Sequence, residues 1–177
     1  MPSHRIQRVA VIGNAGGGKT TLSRQLSKLY GLPVTHVDTI QFLPGMKVRP
    51  LDETRVALNK VTSQEKWVID GFGPLDLIEK RFEIADRVVF VDFPLARHCW
   101  WCAKRQVRSL WRPREELVEG CNEATVAHTI KLYKTIWRVH TQMRPELLKI
   151  LNRENLKHKV VTVSTLRRWK QIFRGGI

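Results

Sequence analysis

The segment Gly13-Asn14-Ala15-Gly16-Gly17-Gly18-Lys19-Thr20 constrains this chain more than any other, because it follows the apolar run Val9-Ala10-Val11-Ile12 and opens a helical pattern at Lys19. Strand, glycine loop, Lys-Thr and helix in that order form a P-loop. The glycines let consecutive backbone N–H groups curl round a phosphate, and the helix start adds its positive dipole end at the same place. Lys19 then reaches the β- and γ-phosphates while the Thr20 hydroxyl ligates Mg²⁺. The expected nucleotide-binding set is Gly13, Asn14, Ala15, Gly16, Gly17, Gly18, Lys19, Thr20 and Thr21. A plain flexible turn would not need all of these parts in sequence.

Size limits what such a loop can serve. A chain of 177 residues is one domain by the usual size range, so the nucleotide domain is expected to occupy nearly all of it, 1–177. That excludes a motor or a large remodelling ATPase. The net charge of +15 points to anionic partners, which include nucleotides, nucleic acid and acidic protein surfaces. No apolar run approaches the roughly 18 residues of a membrane span, and Met1-Pro2-Ser3-His4-Arg5 leads into a strand rather than a signal-peptide core, so a cytoplasmic location without membrane contact is the expectation. The three cysteines, Cys99, Cys102 and Cys121, suit a reducing compartment. Cys99-Trp100-Trp101-Cys102 matches C-x-x-C, but it falls inside a helical pattern with no second pair. Buried or half-buried thiols are expected there, with a His98-Cys99-Cys102 metal or redox site as the alternative.

Periodicity predicts strands at Arg8–Ile12, Val34–Val37, Trp67–Asp70, Arg87–Asp92 and Lys159–Val163. Helices are predicted at Lys19–Tyr30, Asp52–Glu65, Leu95–Leu110, Glu123–Met143, Pro145–Glu154 and Thr165–Phe173. Such alternation implies an α/β fold, a parallel sheet covered on both faces, with ligands at the carboxyl ends of its strands. Two carboxylates fall there. Asp38 closes the second predicted strand, where it holds or helps deprotonate an acceptor hydroxyl, unless it is a helix cap or turn residue. Asp70 ends the third, where it organises Mg²⁺ and its waters, the alternative again being a structural turn.

Asp70-x-x-Gly73 also fits the switch motif of a GTPase. No Asn-Lys-x-Asp follows it, since Asn59-Lys60 precedes Asp70 and continues Val61-Thr62, so an ATP-dependent kinase is preferred. Arg105, Arg108, Arg112 and Arg114 surround the break at Pro113, and the segment of about 105–122 reads either as a lid that closes on triphosphate or as a solvated basic face. Within the lid reading, Arg108 and Arg114 are the first candidates for the transferring phosphoryl group.

Several segments together carry a resemblance over nearly the whole chain. They are the P-loop, Val37-Asp38-Thr39-Ile40-Gln41-Phe42-Leu43-Pro44-Gly45, Trp67-Val68-Ile69-Asp70-Gly71, Ala85-Asp86-Arg87-Val88-Val89-Phe90-Val91-Asp92-Phe93-Pro94, Arg114 and Glu119-Gly120-Cys121. Together they resemble the small adenylate-kinase-related P-loop proteins labelled DNA topology modulation (FlaR-like) proteins. The resemblance implies a three-layer, nucleoside-monophosphate-kinase-like P-loop NTPase fold with a five-stranded parallel sheet of order 2-3-1-4-5. It also implies ATP and Mg²⁺ as ligands and a kinase activity. Asp70-Gly71-Phe72 is similar to the Asp-Gly-Phe-Pro-Arg signature of adenylate kinase, but Gly73-Pro74 stands where Pro-Arg would, so the arginine that holds an AMP phosphate there is missing.

Two functions follow as expectations. The first is transfer of the ATP γ-phosphoryl to a small acceptor (nucleoside, nucleotide or another hydroxyl compound) lying between Asp38, Asp70 and the 52–65 helix. In it Lys19, Asp38, Asp70, Arg108 and Arg114 are the catalytic candidates, Thr20 and Asp70 hold the metal, and the adenine packs between the lid base and Ser164-Thr165-Leu166. The second is a nucleic-acid-associated ATP-binding protein that modulates DNA topology, using Trp100, Trp101, Trp111, Arg105, Arg108 and Arg112 as a basic aromatic surface.

Overall fold

The computed structural model describes residues 5–44, 47–109 and 126–177. Five strands form one parallel sheet: β1 (Arg8–Gly13), β2 (Val34–His36), β5 (Trp67–Asp70), β6 (Arg87–Val91) and β7 (Val160–Val163). Their order is β2-β5-β1-β6-β7. Within these five strands this is the expected 2-3-1-4-5. The detail that differs is a separate two-stranded hairpin of β3 (Phe42–Leu43) and β4 (Lys47–Val48), which the periodicity does not predict.

The strands are apolar on both faces because helices cover both, and residues alternate sides with period two. Ala10, Ile12, Trp67, Ile69, Val88 and Phe90 enter one core with Leu58, Phe82, Leu147 and Leu151 from α3 (Leu51–Thr62), α4 (Leu75–Ile84) and α7 (Arg144–Leu151). Val9, Val11, Val68, Val89 and Val91 enter the other with Leu22, Leu26 and Ile172 from α1 (Lys19–Tyr30) and α9 (Leu166–Gly175). Trp101 of α5 (Leu95–Ser109) packs against this second core and lies edge-on to Phe93, 5.0 Å between ring centroids. It is therefore structural, while Trp100 is exposed. Register brings the carboxyl ends of β1, β5 and β6 together, pairing Val11 with Asp70 and Gly13 with Val91.

Some boundaries need correction. Strand β2 stops at His36, and Val37–Gln41 is a short helix, α2, so Asp38 lies in a first helical turn rather than at a strand end. The β-branched run Val34-Thr35-His36-Val37 reads as strand to its end, but pairing with β5 stops where β5 itself stops, at His36↔Asp70. Helix α4 was not expected. It starts after Pro74 and carries Asp76 in its first turn, a start signal that its buried Arg81 obscures by breaking the amphipathic pattern. The predicted 123–143 helix is α6 (Val126–Arg138) followed by a π turn, Val139–Met143, and the predicted 145–154 helix is α7 followed by the short α8 (Glu154–Lys157). No described helix is long and apolar enough to cross a membrane.

Candidate active site

The P-loop has the form its glycines permit. Gly13, Gly16 and Gly18 all have positive φ, and a Cβ on Gly13 would overlap the Val91 carbonyl on the neighbouring strand. Lys19 opens α1, and its Nζ donates to the Asn14 carbonyl at 2.9 Å, holding the ammonium at the mouth of the loop. Thr20 follows on the first turn, and Thr21 is exposed. Asn14 is buried with its side chain turned out of the loop. Its Nδ2 donates to the Ile136 carbonyl of α6 at 2.8 Å and its Oδ1 accepts the Ala15 N–H at 2.8 Å, so this residue ties the loop to the scaffold.

Asp70 ends β5 beside the P-loop strand and is 4 % exposed. One oxygen, Oδ1, accepts from His36 Nδ1 at 2.9 Å. The other, Oδ2, is buried and has no hydrogen-bond partner among the described residues. A buried carboxylate oxygen left open costs about 1–3 kcal/mol or more. The donor set of this corner, a carboxylate oxygen and the Thr20 hydroxyl, is the oxygen chemistry that Mg²⁺ takes, so the residues present fit that ion.

Beneath Asp70 lies Arg81, 2 % exposed, whose NH2 group donates to the carbonyls of Gly71 (2.8 Å) and Phe72 (3.2 Å). Burial pulls its pKa down to about 10, against the opposing pull of Asp70. Gly71 and Gly73 both sit at φ +102° with Val37 side-chain atoms against them, so the turn is tightly packed. Arg81 is thus a cation behind the Asp70-Gly71-Phe72 turn, seven residues after position 74, where adenylate kinase's signature arginine would stand.

At the end of β6, Asp92 holds Arg144 through two bonds of 2.6 and 2.8 Å, which raises the arginine's pKa further. The π turn brings His140, and the start of α7 brings Arg144, to the same small cavity as Gly13, Asn14, Phe72 and His98. π turns often mark functional sites. His98 is 1 % exposed, and its Nδ1 lies 2.9 Å from the Ala15 carbonyl of the P-loop. Burial, more than the neighbouring Lys19 and His140, pushes its pKa down to about 4.

The other expected site residues stand apart. Asp38 is exposed in the first turn of α2, at the sheet's carboxyl edge but outside the buried cluster. Arg108 is exposed in the last turn of α5. Arg112, Arg114, Cys121 and most of the expected 105–122 lid lie outside the described residues, and so does the Arg105 side chain. Cys102 is buried and Cys99 half-buried, neither in a disulfide, and no cluster of three metal-ligating side chains occurs among the described residues. Thr165 caps α9 by accepting from the Arg168 N–H at 3.2 Å, and Trp169 one turn on lies over Gly18. Sequence reasoning missed His36, Arg81, Arg144 and Trp169, none of which carried a local signal, and it offered His98 only within an alternative metal or redox site with Cys99 and Cys102.

No protein-family model matches the sequence, and no curated protein matches it. Solved structures do. Shikimate kinase from Acinetobacter baumannii in complex with shikimate superposes with a TM-score of 0.61 at 18% identity, covering 96% of this chain and 89% of that one. A gluconokinase from Sinorhizobium meliloti 1021 gives 0.55 at 15% identity, with 96% and 89% covered. Shikimate kinase from Bacteroides thetaiotaomicron gives 0.52 at 16%, with 96% and 99% covered. The fold is that of small P-loop kinases. The DNA topology modulation part of the sequence resemblance receives no support from these neighbours.

Proposed function

We propose that this chain is an ATP- and Mg²⁺-dependent phosphotransferase that moves the γ-phosphoryl group of ATP to a hydroxyl of a small acceptor. The observation that carries this is Asp70, a buried carboxylate with one open oxygen on the strand next to the P-loop strand. A structural turn aspartate would have both oxygens satisfied or solvated.

Gly13 to Thr21 would cradle the triphosphate, with Lys19 leaving the Asn14 carbonyl for the β- and γ-phosphates. Thr20 and Asp70 would hold Mg²⁺ and its waters, and the ion when bound neutralises charge on the phosphates. His36, through its hydrogen bond, fixes the Asp70 carboxylate, and Arg81 fixes the turn that follows. Arg108 and Arg114 are the proposed lid cations, with Arg105 and Arg112 as reserves; their value lies in reaching the phosphoryl group on closure. Asp38 remains the proposed acceptor-side carboxylate, since α2 stands at the same edge of the sheet. The adenine would lie by the 164–166 turn and Trp169.

Hydroxylated carboxylates such as shikimate and gluconate head the acceptor classes, because kinases named for them share this fold. A coupled ADP-release screen across hydroxy acids, sugars, nucleosides and nucleotides tests the reading. Acceptor-stimulated, Mg²⁺-dependent ADP release is expected for one class. Release that no acceptor class stimulates would contradict it.

A further inference from the structure

The glycine run that makes a P-loop able to wrap a phosphate also lets it adopt many other shapes, so something outside the loop has to hold it. Helix α5 provides that backing. A Cβ on Gly16 would lie 2.7 Å from Cys102 Sγ and 2.8 Å from the His98 carbonyl oxygen, and one on Gly17 would lie 3.1 Å from His98 Cε1. His98 of α5 bonds the loop backbone directly, through Nδ1 to the Ala15 carbonyl at 2.9 Å. A carbonyl oxygen can only accept, so the ring's proton must sit on Nδ1.

The direction of that bond matters. In a trans peptide the C=O and the following N–H point to opposite sides. Drawing the Ala15 oxygen towards α5 turns the Gly16 N–H away from α5, towards the concave side of the loop. We propose that His98 is a positioning residue of the phosphate cradle, its Nδ1–H locking the Ala15–Gly16 peptide so that the Gly16 N–H faces bound triphosphate. This rests on the phosphotransferase reading, which supplies the triphosphate. His98 touches no ligand itself. It acts through the backbone, which is why spacing and motif assign it no role at the phosphate loop.

Two substitutions of similar shape separate the donor from the packing. His98→Asn keeps an N–H close to the Nδ1 position, and His98→Leu removes it. MgATP and inorganic tripolyphosphate affinities are measured by calorimetry on wild type and both variants, with circular dichroism as a check on folding. Wild type and His98→Asn should agree within about threefold, while His98→Leu should bind both ligands at least about tenfold more weakly. His98→Leu binding like wild type, or His98→Asn binding as weakly as His98→Leu, would overturn the inference and leave the phosphotransferase reading standing. A wild-type chain that binds no MgATP would overturn both. Where His98→Leu does not fold, ¹⁵N–¹H correlation of the wild-type imidazole decides: a neutral Nδ1–H tautomer with and without MgATP is expected, and an Nε2–H tautomer would overturn the inference.

Discussion

Replacing Gly16 with alanine tests whether the P-loop really rests on α5. Gly16 has φ +73°, where an alanine pays about 1–2 kcal/mol for left-handed backbone. The new Cβ would also lie 2.7 Å from Cys102 Sγ and 2.8 Å from the His98 carbonyl, closer than real Cβ atoms come to any neighbour. Overpacking of that kind costs about 1–3 kcal/mol, so Gly16→Ala should destabilise the chain by about 2–5 kcal/mol. The two neighbours differ in how they can yield. The His98 oxygen belongs to a helix backbone, whereas the Cys102 sulfur can be deleted. Cys102→Ala alone should cost about 1 kcal/mol through lost packing. In the double variant the alanine methyl moves into the vacated space, so the two effects should fall short of their sum by about 1 kcal/mol. Guanidinium unfolding followed by far-UV circular dichroism on all four proteins reads this coupling. Strict additivity, within about 0.3–0.5 kcal/mol, would refute the contact between loop and helix.

Asp70→Asn should raise the Mg²⁺ concentration for half-maximal activity by about tenfold or more, measured by ADP release in a Mg²⁺ titration; an unchanged titration would reduce Asp70 to a turn residue. His98 titrates near 4 in the folded chain against about 6.5 when unfolded, so the unfolded state takes up the proton first. Its contribution is fully present above pH 6.5 and is lost as the pH falls from 6.5 towards 4, by at most about 3 kcal/mol. Urea midpoints across that range should show the loss in wild type and not in His98→Asn. Arg81→Met leaves the Gly71 and Phe72 carbonyls without their donor and Asp70 without its buried cation, and should cost about 3–5 kcal/mol by chemical denaturation.

What could be read from the sequence was what is encoded locally. The P-loop is contiguous, and Lys19–Tyr30 was located to the residue because a glycine precedes it and another, Gly31, ends it in the left-handed conformation. The strands of the parallel sheet were found within a residue or two because both-face burial makes them short apolar runs. Their order came from the family resemblance, since periodicity carries no information on which strands are neighbours. The failures share a cause in long-range structure. Asp38 sits in a helix because β2 runs out of partner at Asp70, a fact belonging to another strand. Arg81 looks like a surface residue of a charged helix until Gly71 and Phe72 close over it. His36, Asp92 and Arg144 acquire meaning only when the ends of β2, β5, β6 and the π turn meet. His98 shows the same limit from the other side: its stripe on α5 was visible, but the loop it supports lies 83 residues earlier.

Phosphoryl transfer itself is measured most directly by following label from γ-³²P-ATP in the presence of the acceptor that best stimulates ADP release, with wild type beside Lys19→Ala. Lys19 is the cation held on the loop by its hydrogen bond to the Asn14 carbonyl, and its removal should spare the fold because the side chain is only half-buried. Label should appear on the acceptor with wild type and fall by at least about a hundredfold with the variant, a loss of roughly 2.7 kcal/mol in transition-state stabilisation. Label recovered only as inorganic phosphate, or labelled acceptor formed equally well by Lys19→Ala, would contradict a P-loop kinase.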